Sequence, residues 1–291
     1  MGEPAAPPAP HWLGTLLYVP LLLAAGWLLA RPLALLSPGM RPDQLDLAGA
    51  VIALGLLLLT LPGRLRRLWG EQRPWRRLGL ALPWTLALRS GGRGLLTASV
   101  LLLTLSAGLM LSGQARWLGD TDLARTVNGL ALGLGVGFAE ELLFRGWLWG
   151  ELELRLAPRH ALGLQGLIFA LVHPWYRAPG LLAPMLLGGL TLLGLALALE
   201  RRLQGGSLWA SIALHGGLVG GWFVLQSGLM GIAPGAPGWW TGPGDGGVNP
   251  LGGVLGWIAL AALLAVQRTA VARARRPSTG ACRASSRGAR P

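Results

Sequence analysis

Two adjacent acidic residues, Glu140 and Glu141, lie inside an apolar stretch of the chain that reads GVGFAEELLFRGW. The other acidic residues fall in loops, at the ends of apolar stretches or in the segments that flank them. A carboxylate within an apolar span costs several kcal/mol, so it marks a functional site or an ion pair facing the interior of a helix bundle. The two glutamates are therefore the first candidate site.

Helical geometry separates the two glutamates. Glu141 and Arg145 are four residues apart, so they share one face of a helix and can form an ion pair. Glu140 is rotated from Glu141 by about 100° and has no such partner nearby in the sequence. We therefore expect a structural role for Glu141 and expect Glu140 to face the chemistry.

Two histidines extend the candidate site. His173 ends the run LIFALVH, one turn after Phe169, and His215 lies within SLWASIALHGGLVGGW. A lone histidine in a helix is more often a packing residue, but two of them beside an unpaired glutamate indicate joint function. A glutamate with histidines can activate a water, hold zinc or relay protons. His11 and His160 stand at the edges of spans, where an interfacial position is expected.

The elements that hold these residues are predicted to be membrane spans. Charged residues make up 13% of the chain, about half the usual share in soluble domains, and the apolar blocks have lengths that suit a bilayer. We predict an all-α, polytopic membrane helix bundle of about eight spans. They are Trp12–Leu29, Leu47–Leu61, Leu95–Leu111, Val127–Gly146, Leu162–His173, Leu182–Leu199, Leu208–Leu225 and Leu251–Val266.

The basic residues predict the orientation of the bundle. All 25 are arginines, and 20 of them fall in alternate loops and the C-terminal tail when the N-terminus is placed inside. By the positive-inside rule both termini are then cytoplasmic. This placement accounts for the net charge of +13 without nucleic acid as a partner. The single cysteine, Cys282, excludes an intramolecular disulfide and a cysteine-based metal site within this sequence.

Three regions follow from these spans. Residues 1–126 are predicted to hold N-terminal transmembrane helices and a basic cytoplasmic loop over 63–93, with an interfacial helix anchored by tryptophans. Residues 127–266 form the core with the candidate site and the last helix, and include an irregular outer loop over 231–250. Residues 267–291 are predicted to be a disordered basic tail.

The order of the motifs resembles a known family. The sequence has EExxxR from Glu140 to Arg145, FxxxH from Phe169 to His173, and then His215 in a later helix. This pattern, over about residues 127–225, resembles the CAAX-protease and bacteriocin-processing (CPBP, Abi-like) family of intramembrane glutamic peptidases. The glycine- and tryptophan-rich seventh span and GVNPLGG at 247–253 resemble the cyanobacterial and plastid branch.

The resemblance implies an intramembrane endopeptidase acting on a membrane-associated protein or peptide in the lipid bilayer. Glu140 would be the general base on a water, assisted by His173, and His215 would donate a hydrogen bond to the oxyanion. Glu141 and Arg145 would orient the helix. No cofactor is required; the alternative is zinc held by Glu140, His173 and His215. A bacterial plasma membrane is expected, with the thylakoid as the alternative.

One residue departs from the family pattern. Family members commonly have Asn or Asp one turn after the second histidine, where this chain has Val219. Ser211, one turn before His215, or Trp222, two turns after it, could supply the missing donor. The departure keeps an inactive membrane scaffold or immunity protein of the same fold as the main alternative, with a transporter as another.

The site also requires a break in the fifth span. Proline disfavours helix at the residue before it, so we expect this helix to begin below the membrane and to break near His173–Pro174. Glu140, His173 and His215 must then lie close together.

Overall fold

The computed structural model describes residues 11–244 and 248–274, which are almost entirely helical. The α-helices are α1 Trp12–Leu36, α2 Pro42–Trp69, α3 Pro74–Arg77, α4 Trp84–Leu111, α5 Leu123–Glu141, α6 Trp149–Glu153, α7 Pro158–Leu171, α8 Leu182–Leu203, α9 Leu208–Val224, α10 Gly238–Thr241 and α11 Val254–Ala274. Two short strands, β1 Ala115–Trp117 and β2 Met230–Ile232, pair antiparallel. Leu142–Leu148 and Leu225–Leu229 are π-helical, whereas Trp175–Arg177 and Pro250–Gly252 are 3-10 turns.

Seven helices in the described part of the chain are long and apolar enough to cross a membrane. They are α1, α2, α4, the continuous helix Leu123–Glu153, α8, Leu208–Leu229 and α11. The predicted all-α polytopic membrane bundle is confirmed. The remaining predicted span, Leu162–His173, corresponds to α7, which has only 14 residues. It begins before the predicted span and ends two residues before His173, so the expected early start and break are both present.

The start of α1 and the end of α11 lie at one end of the bundle, which we call the inner end. Thr15 donates a hydrogen bond to Glu151 of α6 over 2.6 Å. Gln267 of α11 donates to Glu200 of α8 over 3.0 Å, and an ion pair of 3.2 Å links α6 to α8. The first and last described helices thus start and end on the same side of the bundle, in agreement with the predicted topology. That this end is cytoplasmic stays a prediction.

Several predicted boundaries are wrong by a few turns. The predicted loop over 63–93 is mostly helical, because α2 continues to Trp69 and α4 begins at Trp84, and the expected interfacial helix is reduced to the four residues of α3. Likewise, α11 continues to Ala274, into the predicted tail. The rest of that tail, 275–291, lies outside the described residues, as do residues 245–247 of the predicted outer loop. The described part of this loop holds β2 and α10.

Glycines bring α5 and α9 into backbone contact. A Cβ atom added to Gly133 of α5 would lie 2.4 Å from the carbonyl oxygen of Gly216 in α9, and the reverse substitution would be equally close. Small residues allow this approach between membrane helices, where packing replaces the hydrophobic effect as the driving force. The contact places the end of α5, which carries Glu140, beside the middle of α9, which carries His215.

The hairpin of α1 and α2 packs on this core through a buried ion pair. Glu151 is 1% exposed and accepts from Thr15 of α1 and, through two hydrogen bonds, from Arg64 of α2. The Arg64 guanidinium also lies 4.5 Å from the centre of the Tyr18 ring. A buried carboxylate requires such compensation, so Glu151 fixes the hairpin against α6.

Candidate active site

The site begins where α5 changes its helical pitch. After Glu141 the chain becomes π-helical, and the N–H of Trp149 donates to the carbonyl of Phe144, five residues earlier. π-helical turns are rare and frequently occur at functional sites. This turn carries Arg145 and buries it completely.

Glu140 lies between the two histidines. Its Oε2 atom is 3.5 Å from Nε2 of His173 and 3.8 Å from Nε2 of His215. The side chains of Glu140 and His173 are 29% and 24% exposed, whereas that of His215 is 4% exposed. The structure thus brings together all three predicted residues and leaves two of them accessible.

His173 stands just beyond the end of α7. Its Nδ1 atom is 2.6 Å from the carbonyl oxygen of Phe169, one turn earlier. A carbonyl can only accept, so Nδ1 of this histidine carries the proton. Its Nε2 atom, which faces Glu140 at 3.5 Å, is then unprotonated in the neutral ring.

His215 is oriented by a different group. Its Nδ1 atom is 2.9 Å from Oε1 of Glu141, which is fully buried. An ionised carboxylate can only accept, so Nδ1 again donates. Both imidazoles therefore present Nε2 to one oxygen of Glu140.

The predicted ion pair between Glu141 and Arg145 is present and buried. Oε1 of Glu141 accepts from Nη1 of Arg145 over 2.7 Å, and neither side chain is exposed. Arg145 also donates to the carbonyl of Gly194 in α8 over 3.2 Å. Its guanidinium carbon lies 4.2 Å from the centre of the Phe169 ring, and this ring contacts the rings of His173 and His215. Phe169 therefore packs at the centre of the site.

Two supporting residues were not predicted from the sequence. Gln165 is fully buried in α7 and donates to the carbonyl of Gly194, which also accepts from Arg145. Arg201 of α8 donates to the carbonyl of Arg145 and, over 3.1 Å, to that of Leu78. A polar glutamine inside an apolar helix was a signal for the first residue. Arg201 stands at the end of a span, where basic residues are common, so no signal marked it.

Ser211 and Trp222 were the two residues expected to replace the Asn or Asp donor of the family, and both form hydrogen bonds with backbone carbonyls instead. The Ser211 hydroxyl donates to the carbonyl of Leu208 over 3.1 Å. The Trp222 indole donates to the carbonyl of Val248 over 2.8 Å. Val219 itself is half-buried. His215 is consequently the side-chain donor of α9 that faces Glu140.

For a metal site, only the arrangement of the described side chains can be judged. Among residues 11–244 and 248–274, no group of three or more His, Cys, Asp or Glu side chains is arranged as a metal site. The zinc alternative, with Glu140, His173 and His215 as the ligands, stays a prediction.

Comparison with protein families gives the site a context. Residues 122–221, which include every residue of the site, match the family model described as Type II CAAX prenyl endopeptidase Rce1-like. We call this part of the chain the Rce1-like domain, after the family model that it matches. The Rce1-like domain begins at the N-cap of α5 and extends into α9, and the predicted resemblance to CPBP intramembrane proteases is confirmed. The cyanobacterial and plastid branch stays a prediction, as do the roles of the individual residues.

The region outside the Rce1-like domain has a match of its own. Residues 3–73 match the model of a domain of unknown function, DUF8676, which covers α1 and α2. No curated protein and no solved structure matches the chain. The seven apolar helices and the Rce1-like match together indicate an integral, multi-pass membrane protein. In it, the hairpin of α1 and α2 precedes the Rce1-like domain.

Proposed function

We propose that the Rce1-like domain hydrolyses a peptide bond of a membrane-associated protein or peptide with a water that Glu140 activates. The observation that carries the proposal is the convergence of two imidazole Nε2 atoms on Oε2 of Glu140, a buried oxygen of a side chain that is 29% exposed as a whole. A general base must reach the proton that it takes, directly or through one water. A water at the exposed edge of Glu140 and His173 meets this requirement.

The contacts of His215 support its role as the oxyanion donor. Its Nδ1 atom is 2.9 Å from Oε1 of Glu141, and its Nε2 atom is 3.8 Å from Oε2 of Glu140. In the doubly protonated ring, the Nδ1–H donates to Glu141 and the Nε2–H can donate to an oxygen that becomes negative. A preorganised donor of this kind lowers the activation free energy by a few kcal/mol.

The reaction follows from these positions. Glu140 takes a proton from the water, whose oxygen bonds to the substrate carbonyl carbon while His215 donates to the new oxyanion. The tetrahedral intermediate collapses, the C–N bond breaks, and the proton held by Glu140 passes to the leaving amine. His173, with Nε2 unprotonated, orients the water and can carry this proton. Glu141 holds the His215 ring in place, as an acid does for a histidine in hydrolytic triads.

The zinc alternative has a direct test. Glutamate catalysis predicts that cleavage by the purified protein survives extended treatment with 1,10-phenanthroline and EDTA, and that added zinc does not raise the rate. Loss of activity on chelation, with recovery when zinc is added, would instead support a zinc-dependent mechanism.

The scaffold alternative rests on Val219, and a trapping experiment separates it from the protease. Glu140→Gln keeps the size of the side chain but cannot take a proton, so the variant should bind substrates without cleaving them. Membrane proteins that copurify with Glu140→Gln should be intact, and cells with the unaltered protein should contain their fragments. A scaffold would capture the same intact partners in both cases.

A further inference from the structure

Two cavities at the inner end of the bundle meet at Arg202. The first, of about 220 Å³, is lined by three arginines, Arg77, Arg201 and Arg202, together with Glu153 and Trp149. The second, of about 460 Å³, lies between α7, α8 and α11. It has apolar walls and two arginines, Arg202 and Arg268. A cleft with these two surfaces suits an amphipathic ligand with a negative head.

The apolar walls come from three different helices. They include Leu162 of α7, Leu195 and Leu199 of α8, and Leu264 of α11. Leu199 and Leu264 are buried, whereas Leu162 and Leu195 are half-buried and open to the outside of the bundle. In a membrane that outside is lipid, so a hydrocarbon chain can enter the cleft sideways.

The arginines can bind an anion at the mouth of this cleft. Arg202 donates to Glu153 over 3.2 Å, and its guanidinium carbon lies 4.6 Å from the centre of the Trp149 ring. These contacts hold the guanidinium in place, and since arginine has five N–H donors, others remain available. Arg268 is exposed and forms no ion pair with the residues that the structure describes. Basic pockets between membrane helices at this level bind lipid phosphates.

We propose that this cleft binds an anionic phospholipid. Its phosphate lies between Arg202 and Arg268, and one acyl chain lies against Leu162, Leu195 and Leu264. A zwitterionic lipid fits less well, because the two arginines repel its ammonium group. The ligand is a lipid rather than a free phosphate, because the apolar cavity is the larger of the two and has no other covering in the described residues.

The bound lipid would support the active site from behind. A Cβ atom added to Gly166 of α7 would lie 3.2 Å from the Leu195 side chain, so α7 and Leu195 are already in close contact. An acyl chain against Leu195 therefore braces the helix that precedes His173. The proposal rests on the cleft and its charges and does not require that the site be catalytic.

The test uses the full-length purified protein in a neutral detergent. Phosphatidylglycerol, phosphatidylcholine and soluble glycerol phosphate are added separately, and binding is followed by native mass spectrometry and thermal unfolding. We expect phosphatidylglycerol to bind and raise the unfolding temperature, phosphatidylcholine to do so weakly, and glycerol phosphate to have no effect. An equal response to all three, or to both lipids, would overturn the proposal.

Two variants and one control place the lipid in this cleft. Arg268→Gln removes a cation without breaking an ion pair and should weaken phosphatidylglycerol binding by about fivefold or more. Val271→Trp, at the same cleft, should block the acyl chain. Arg66→Gln changes an exposed inner-end arginine and should leave binding unchanged. If Arg268→Gln and Val271→Trp fold and bind phosphatidylglycerol as well as Arg66→Gln does, the lipid is not in this cleft.

Discussion

The carboxylate of Glu141 and the imidazole of His215 are hydrogen-bonded at 2.9 Å, although 74 residues separate them in the sequence. The same Glu141 oxygen accepts from Arg145. Glu141 therefore has two roles, because it neutralises a buried cation and also fixes the direction of the His215 ring. The EExxxR spacing predicts the first role, and only the packing of α5 on α9 reveals the second.

His215→Ala tests the donor role. The substitution removes the Nε2–H that faces the oxyanion but leaves the ion pair between Glu141 and Arg145 in place. We expect kcat to fall by about 10²–10³, the usual effect of losing one oxyanion donor, with KM little changed. Steady-state kinetics on a substrate from the trapping experiment checks this. A variant that cleaves at the unaltered rate would contradict the assignment.

Glu141→Gln tests the positioning role. The amide cannot balance the charge of Arg145, which is fully buried, so stability should fall by about 3–5 kcal/mol, as when one partner of a buried ion pair is removed. Cleavage should fall as well, because His215 loses its anionic partner. Thermal unfolding and the cleavage rate are measured together. Glu71→Gln is the control, since this carboxylate accepts only from a nearby loop amide in the described contacts. Equal behaviour of the two variants would contradict the positioning role.

Gly133→Ala tests the contact between α5 and α9. The new methyl group would lie 2.4 Å from the Gly216 carbonyl oxygen, so the helices must separate and carry Glu140 away from His215. We expect a loss of about 1–3 kcal/mol of stability, typical of overpacking, and at least tenfold lower activity. Gly135→Ala is the matched control on the same helix, because a Cβ atom there meets nothing within 4 Å. Similar losses in both variants would show that the close contact is not the cause.

Much of the site could be predicted from the sequence, because its residues stand out against their surroundings. A glutamate inside an apolar block has few ordinary explanations, so Glu140 was identifiable by itself, whereas His173 and His215 were identified because both lie in spans beside it. Helical spacing was sufficient to pair Glu141 with Arg145. The proline after His173 marked the end of α7. These signals are local, and all of them agree with the positions in the structure.

The features that could not be predicted depend on contacts between distant segments or on helix ends. Nothing in LLFRGWL indicates a π-helical turn. Helices α2 and α11 extend beyond their apolar segments, because polar residues near their ends form contacts at the inner end of the bundle. Arg64 and Gln267 are examples. The hydroxyl of Ser211 could bond to its own helix or to a substrate, and the sequence does not distinguish these outcomes.

Val219→Asn tests the departure from the family pattern. Val219 lies one helical turn after His215 and is half-buried, so an amide there can reach the same oxyanion. We expect the variant to raise kcat by tenfold or more, since one good donor contributes about 10²–10³ in rate. Val219→Leu is the apolar control and should not raise the rate. An unchanged rate in Val219→Asn would mean that the oxyanion already has its second donor.

The most direct test of the central claim is the single-turnover cleavage rate of Glu140→Gln in liposomes, compared with the unaltered protein and with Glu71→Gln. A trapped membrane substrate is reconstituted with each protein, and thermal unfolding confirms that all three are folded. The account predicts that Glu140→Gln binds the substrate and cleaves it at least about 10²-fold more slowly, as expected for loss of a general base, whereas Glu71→Gln is unaffected. A folded Glu140→Gln variant that cleaves at the unaltered rate would contradict it.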